Sequence, residues 1–135
     1  IDDSLVRGTT SVKIIKMLYD SGAKEVHLRI ASPPIKYPDY YGVDTPNQNE
    51  LLASKLDLEG MRKFINATTL KFLSIEGLNK SMGFGKRNSS YPQFTDHCFT
   101  GEYPIKPHDA NEKSFENDQL SFMSSKFWDK KVNLV

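Results

Sequence analysis

Two adjacent carboxylates stand at the start of this chain, a short spacer and a glycine follow them, and a helical pattern begins directly afterwards. The opening residues are Ile1-Asp2-Asp3-Ser4-Leu5-Val6-Arg7-Gly8-Thr9-Thr10-Ser11. Apolar residues recur at helical spacing from Thr10 to Tyr19, and they alternate with polar residues from Val26 to Ala31, which predicts a helix and then a strand. A strand, a loop, a helix and a second strand in this spacing form a βαβ unit with parallel strands, and the first of these strands is expected just before Asp2. The chain is therefore expected to be an α/β protein whose opening loop follows the carboxyl end of a strand.

The residue types of this loop suit a phosphorylated sugar. Ionised Asp2 and Asp3 can accept hydrogen bonds from vicinal hydroxyls and help to hold a divalent cation. Gly8 permits a positive φ and a close approach of the main chain, so that consecutive N–H groups can converge on an anion. Thr9 and Thr10 add hydroxyl donors where a helix dipole favours negative charge. The same residue types are also common in turns and helix caps, so the pattern alone leaves both interpretations open.

The remaining elements are predicted to be short. Helices are expected over residues 47–54, 58–65 and 75–82, and Asp57 and Ser74 are suitable N-caps for the last two. A strand is expected over residues 69–73. The inner face of the middle helix is predicted to carry Leu58, Met61, Phe64 and Ile65.

Three groups of side chains invite a functional interpretation and have a simpler structural one. Tyr37, Tyr40 and Tyr41 lie in a proline-containing loop, where aromatic residues more often fix the loop to the protein body than stack on a base. His27 lies on the polar side of its strand and is expected to be solvated or hydrogen-bonded.

Cys98 follows His97, which resembles a thiol beside a base. Neighbouring residues usually point apart and no orienting acid is evident, so a small buried hydrophobic role is favoured for Cys98.

Composition limits the possible partners. The 135 residues include 18 basic and 17 acidic residues, a net charge of +1, which argues against nucleic acid or an anionic membrane as a partner. The apolar runs are too short to span a bilayer. Cys98 is the only cysteine, so no disulfide can form within the chain, and a cytoplasmic location is expected.

The segment from Asp2 to Thr10 resembles the phosphoribosyl pyrophosphate (PRPP) signature of the type I phosphoribosyltransferases, and it is most similar to that of the amidophosphoribosyltransferase family. Further matches follow in the order of that family. They are Ser32-Pro33-Pro34, Tyr41-Gly42-Val43-Asp44, Glu50-Leu51-Leu52-Ala53, Cys98-Phe99-Thr100-Gly101 and Tyr103-Pro104. The resemblance is good over residues 1–82, patchy to residue 105 and absent beyond.

This resemblance implies a partial type I phosphoribosyltransferase fold, which is a Rossmann-like parallel sheet, followed by an irregular or helical C-terminal tail. Residues 1–82 are expected to be the C-terminal part of the phosphoribosyltransferase domain, and residues 83–135 to be a linker and tail. The chain begins with Ile1 rather than Met and starts at the carboxylates. We therefore expect a C-terminal piece of a longer protein, cut inside or just after a strand.

The resemblance also implies a set of site residues but no catalytic residue. Asp2 and Asp3 are expected to hold the ribose hydroxyls of PRPP and to contribute to binding Mg²⁺, and residues 6–10 to cradle the 5′-phosphate. Arg7 is not assigned to the pyrophosphate, because its side chain can equally point to solvent or pair with an acid. The PRPP-binding residues implied in this way are Asp2, Asp3, Ser4, Val6, Arg7, Gly8, Thr9 and Thr10.

In this family, ammonia from an N-terminal glutaminase domain displaces pyrophosphate from PRPP and gives 5-phosphoribosylamine for purine biosynthesis. The partners expected for this chain are therefore PRPP, the glutaminase domain, the upstream phosphoribosyltransferase segments and further copies of the full-length protein. The isolated chain is expected to be inactive.

Some family members hold an iron–sulfur cluster with four cysteines. Asp39 lies near the first of those positions and Thr95 lies three residues before Cys98, and because one thiol cannot hold such a cluster, none is predicted.

Three alternatives stay open at the level of sequence. Another phosphoribosyltransferase of this fold, such as a nucleobase-specific enzyme, would share the loop. A non-catalytic PRPP-sensing module that binds nucleic acid would also share it, although the near-neutral charge argues against this. A gene remnant without a function of its own is the third alternative.

Overall fold

A small parallel sheet organises the protein. The structure, a computed structural model, describes residues 1–45, 47–88, 90 and 92–105. Strand β1, His27–Ile30, pairs in parallel with strand β2, Thr69–Phe72. Asp2 forms an isolated parallel bridge with Ile30, in which its N–H donates to the Arg29 carbonyl at 2.9 Å. The Leu73 N–H donates to the neighbouring Ile30 carbonyl at 2.9 Å. Since successive carbonyls of a strand point to opposite sides, Asp2 and β2 lie on opposite edges of β1.

Five helices follow one another along the described part of the chain. They are α1 Thr9–Asp20, α2 Leu52–Lys55, α3 Leu58–Phe64, α4 Ile75–Ser81 and α5 His97–Thr100.

Local sequence explains most of the helix ends. Helix α1 agrees with its prediction to within one residue at each end. Asp57 accepts a hydrogen bond from the Gly60 N–H at 2.7 Å, and Ser74 accepts one from the Gly77 N–H at 2.9 Å, so both predicted N-caps are confirmed. These caps satisfy main-chain donors that have no partner within the first turn of the helix.

Two helical regions differ from prediction. The helix expected over residues 47–54 is split into a 3-10 turn, Gln48–Glu50, and the short helix α2. The cause is Leu51, which is fully buried and extended at φ −73° and ψ 121°. Helix α5 was not predicted, because four residues do not establish a helical period.

The hydrophobic core lies between the sheet and the helices, and the opening loop contributes Leu5 to it. Its buried members are Leu5, Ile15, Val26, Ile30, Leu52, Ala53, Met61, Ile65, Ala67 and Leu70. Helix α3 contributes less to the core than predicted. Met61 is buried and Ile65, just beyond α3, is fully buried, but Leu58 and Phe64 are each 49% exposed. Because successive helix residues are turned by about 100°, Phe64 and its neighbour Ile65 cannot both face the core.

The chain divides into two units, Ile1–Pro104 and Ile105–Val135. Only Ile105 of the second unit is described, so the predicted tail over residues 106–135 lies outside the described residues. The predicted division between residues 82 and 83 stays a prediction. In the part of the chain that the structure describes, no helix is both long enough and apolar enough to cross a membrane.

A nearly buried ion pair joins Arg87 to Asp96. The Arg87 guanidinium donates to both carboxylate oxygens of Asp96 and to Glu102. The Arg87 and Asp96 side chains are only 14% and 10% exposed. This hydrogen bonding holds the pKa of the Asp96 carboxyl below its usual value. The pair therefore stabilises the folded chain while Asp96 is ionised.

We expect Arg87→Gln to lower the free energy of unfolding by about 1.5–3 kcal/mol at neutral pH, because it leaves a buried carboxylate without its charged donor. The pKa of Asp96 is lower in the folded chain, so this stabilisation is present above the unfolded pKa, near 4, and is lost as the pH falls through the folded pKa. Urea denaturation between pH 7 and pH 3 measures the effect. The exposed neighbour variant Lys86→Gln should change stability little at any pH, and an equal loss in both variants would contradict this role of Arg87.

Candidate functional site

The opening loop is fixed to the protein at three points. Asp2 pairs with the last residue of β1, which places it at the carboxyl end of that strand. Leu5 is 2% exposed and lies in the core. The Leu52 N–H of α2 donates to the Val6 carbonyl at 2.8 Å. The loop is therefore held in place by the sheet, the core and α2.

The two carboxylates accept only short-range hydrogen bonds. Asp2 Oδ1 accepts the Asp3 N–H at 3.1 Å, and Asp3 Oδ1 accepts the Ser4 N–H at 2.8 Å. Asp3 is exposed and Asp2 is partly buried. Among the described residues, no cationic side chain forms an ion pair with either carboxylate. Both groups therefore keep oxygen lone pairs for hydroxyl donors or a cation.

Gly8 joins the loop to α1 in a left-handed conformation, as its residue type predicted. Its φ is 78°, it is the N-cap of α1, and its carbonyl accepts the Val12 N–H at 2.9 Å. Within residues 1–45, 47–88, 90 and 92–105, nothing accepts a hydrogen bond from the main-chain N–H groups of residues 6–11. Thr9 and Thr10 are exposed in the first turn. The loop thus offers N–H and hydroxyl donors at a helix N-terminus, which favours an anion.

Arg7 forms an ion pair with an acidic side chain. The sequence left open whether Arg7 pairs with an acid or points to solvent. Its Nε donates to Glu50 Oε2 at 2.8 Å, and the two side chains are 52% and 48% exposed. This contact links the loop to the 3-10 turn. The charge of Arg7 is therefore partly balanced within the chain.

A cavity lies away from the opening loop. It has a volume of about 160 Å³, lies between α4 and residues 92–99 and has an apolar lining. The opening loop contributes no residue to it. The chemistry of the loop, rather than the presence of an enclosed cavity, makes it the candidate site.

The acid beside His97 is not evident from the sequence, and the structure shows that it is Asp39. Asp39 Oδ1 lies 3.2 Å from His97 Nε2, and both side chains are almost fully buried. The sequence places Asp39 only near a cluster position of the family, and its contact with His97 is not evident because the two residues are far apart in the chain. Burial, and then the negative charge of Asp39, raise the pKa of the half-buried Cys98 thiol. A raised pKa disfavours the thiolate, which agrees with the prediction that Cys98 is not a nucleophile.

The tyrosines of that loop fix it to the protein, as predicted. Tyr41 meets the His97 ring edge to face at 5.0 Å. Tyr40 lies 5.3 Å from Tyr103 between ring centroids. His27 also agrees with its structural interpretation, since it is exposed and lies 3.0 Å from the Thr69 hydroxyl and 3.1 Å from Glu25.

These features define a class of protein. The chain is an α/β protein in which an acidic pair at the carboxyl end of a parallel strand is followed by a glycine loop and a helix N-terminus. This arrangement agrees with the type I phosphoribosyltransferase signature identified in the sequence.

Comparison with known proteins gives a narrower result. The chain is 52% identical over 126 residues to amidophosphoribosyltransferase from Rhizobium etli, a match that covers 93% of this chain and 25% of the relative. It is 51% identical over 106 residues to the Bacillus subtilis enzyme of the same name, covering 78% of this chain and 22% of the relative. A search of protein-family models finds no match.

Solved structures agree. The structure of glutamine PRPP amidotransferase from B. subtilis in complex with ADP and GMP superposes with a TM-score of 0.68 at 48% identity, covering 78% of this chain and 23% of that one. A structure described as the allosteric regulatory enzyme of purine biosynthesis gives a TM-score of 0.70 at 49% identity, covering 80% and 23%. Over the segment that it spans, the chain belongs to the amidophosphoribosyltransferase family. That segment is about a quarter of the length of these relatives.

Gly8 and Gly22 form a matched pair for testing the packing of the loop, because both have positive φ. A Cβ on Gly22 would meet nothing within 4 Å, whereas a Cβ on Gly8 would lie 2.9 Å from Leu52 Cδ2 and 3.1 Å from Phe64 Cε1.

We expect Gly22→Ala to destabilise the chain by about 1–2 kcal/mol, the cost of the left-handed conformation alone. Gly8→Ala should cost about 1–3 kcal/mol more, because the added carbon crowds the α2 and α3 side chains. Urea denaturation of the two variants measures the difference. Equal losses would show that Gly8 is needed only for its conformation.

Proposed function

We propose that this chain supplies the ribose-phosphate half of the PRPP site of an amidophosphoribosyltransferase. The observation that carries the proposal is the anchored opening loop. Among the described residues, its carboxylates have no cationic partner and the N–H groups beside them have no acceptor. The identity of about 50% to amidophosphoribosyltransferases supports this enzyme over a nucleobase-specific phosphoribosyltransferase.

Each half of the loop has its own role in this proposal. Asp2 and Asp3 accept hydrogen bonds from the ribose hydroxyls. The N–H groups of residues 6–10 and the hydroxyls of Ser4, Thr9 and Thr10 surround the 5′-phosphate. Arg7 holds the loop to Glu50 at 2.8 Å and is not assigned to the pyrophosphate.

The two carboxylates also fit a magnesium ion. Mg²⁺ prefers oxygen ligands, keeps several waters and is commonly bound by one or two carboxylates together with phosphate oxygens. Asp2 and Asp3 provide such oxygens at an accessible position. When bound, the ion would balance negative charge on PRPP.

In the whole enzyme, the proposed reaction is displacement of pyrophosphate from the anomeric carbon of PRPP by ammonia derived from glutamine. This chain contributes positioning: it holds the sugar and its phosphate at fixed points, which lowers the entropic part of the barrier. The groups that would bind pyrophosphate and the glutaminase that would release ammonia are expected in upstream segments, with further copies of the enzyme as partners. The lone free thiol suits a reducing, cytoplasmic setting.

Titration calorimetry with PRPP and Mg²⁺ tests the site on the 135-residue chain. We expect weak, Mg²⁺-dependent binding, which Asp2→Asn and Asp3→Asn each weaken by about ten-fold or more, because each removes charge from a hydrogen-bond acceptor. Asparagine keeps the oxygen that accepts the following N–H, so the loop conformation is retained.

Asp44→Asn is the matched control, since Asp44 is an exposed aspartate outside the loop. It should leave the affinity for PRPP unchanged. If the Asp2 and Asp3 variants bind PRPP as tightly as the control does, the assignment of the carboxylates is wrong.

A further inference from the structure

A second cluster of chemically active side chains lies outside the opening loop. It consists of Asp39 from the proline-containing loop and of His97 and Cys98 from the start of α5. One ligand atom from each residue, a carboxylate oxygen, a ring nitrogen and the sulfur, lies within 4.8 Å of the other two. The cluster therefore brings three different metal-ligating groups to one point.

His97 gives the strongest indication that this cluster binds something. Its side chain is 5% exposed, and both ring nitrogens are buried without a hydrogen-bond partner in the described part of the chain. Asp39 is close enough to Nε2 for an ion pair, but the two atoms do not meet in hydrogen-bond geometry. A buried polar group is normally satisfied, so an unsatisfied histidine needs an explanation.

The separation of the two groups also fits joint coordination of one metal ion. Ligands at about 2.0–2.1 Å from a tetrahedral zinc ion lie about 3.3–3.4 Å from each other. Asp39 Oδ1 and His97 Nε2 are 3.2 Å apart. An ion between them would satisfy the ring nitrogen and balance the buried carboxylate.

The surrounding main chain holds the ligands in position. The N–H groups of Lys36 and Tyr37 donate to the Cys98 carbonyl at 2.9 and 3.1 Å, which joins the loop to α5. The Asp39 N–H donates to the Thr45 hydroxyl at 2.6 Å, and the Tyr41 N–H donates to Asp39 Oδ1 at 2.5 Å. Interactions of this kind orient the ligands of metal sites.

Aromatic rings enclose the histidine. Tyr41 and Tyr103 lie 5.0 and 5.1 Å from the His97 ring, measured between ring centroids. The Tyr103 hydroxyl donates to the Pro38 carbonyl at 2.8 Å, next to Asp39. The rings limit the access of water to the ring nitrogens, which strengthens coordination by a charged ion.

We propose that Asp39, His97 and Cys98 bind a single divalent transition metal ion of the Zn²⁺ class. A thiolate, an imidazole and a carboxylate together select zinc or cobalt over magnesium or calcium, which prefer oxygen ligands alone. Three protein ligands leave a fourth tetrahedral position for water. The site needs only one thiolate, so the single cysteine of the chain is sufficient.

Cobalt is the probe, because Co²⁺ replaces Zn²⁺ in such sites and its spectrum reports on the ligands. Titration of the reduced 135-residue chain with Co²⁺ should give one equivalent of binding, with visible d–d bands of tetrahedral geometry and a thiolate-to-cobalt charge-transfer band. Addition of Zn²⁺ should abolish both. No Co²⁺ uptake, or uptake without the charge-transfer band, would overturn the proposal.

Variants separate this site from other metal binding by the chain. Cys98→Ser should remove the charge-transfer band, and His97→Gln and Asp39→Asn should each weaken Co²⁺ binding by at least about ten-fold. His27→Gln and Asp44→Asn are matched controls at exposed positions and should leave the titration unchanged. Circular dichroism confirms that each variant is folded, and the half-buried Cys98→Ser is the variant most certain to fold. A charge-transfer band that persists in folded His97→Gln at unchanged affinity would also overturn the proposal.

Discussion

The position of the candidate site depends on the parallel pairing of Asp2 with β1. Hydrogen bonds from the Asp2 N–H to Arg29 and from the Ala31 N–H to the Asp2 carbonyl, both 2.9 Å, place the acidic pair at the carboxyl end of the sheet. Burial of Leu5 and the contact of Val6 with α2 then fix the course of the loop to Gly8. A flexible loop would lose conformational entropy on binding, whereas this one has already been ordered by folding.

Some charged and polar groups pair with each other, whereas others lack such a partner among the described residues. The paired groups stabilise the fold, and the proposed sites consist of the others. Arg87 and Asp96 satisfy each other and stabilise the fold. Asp2 and Asp3 have no cationic partner among the described residues, and the N–H groups after them have no acceptor there. His97 is buried beside Asp39, and neither ring nitrogen has a hydrogen-bond partner among the described residues. A buried polar group without a hydrogen bond is costly, and exposed groups without an internal partner stay available to a ligand, so both proposals concern groups of this kind.

The two proposed sites differ in how far apart their residues lie in the sequence. The opening loop is continuous in sequence, and its chemistry is readable from nine consecutive residues, Asp2 to Thr10. The Asp39, His97 and Cys98 cluster joins two distant segments, and the main-chain hydrogen bonds of Lys36 and Tyr37 to Cys98 hold them together. This is why the first site was predicted and the second was not.

The sequence by itself determined the α/β class, the ends of α1, the N-caps Asp57 and Ser74 and the positive φ of Gly8, because these follow from local pattern and residue chemistry. Only the tertiary structure decided which apolar faces are buried: Leu58 and Phe64 are half exposed although both were predicted to face the core. It also decided the pairing of Arg7 with Glu50 and of Asp39 with His97. Such contacts join residues far apart in the chain, and their geometry is set by the packing of whole elements, which no local pattern specifies.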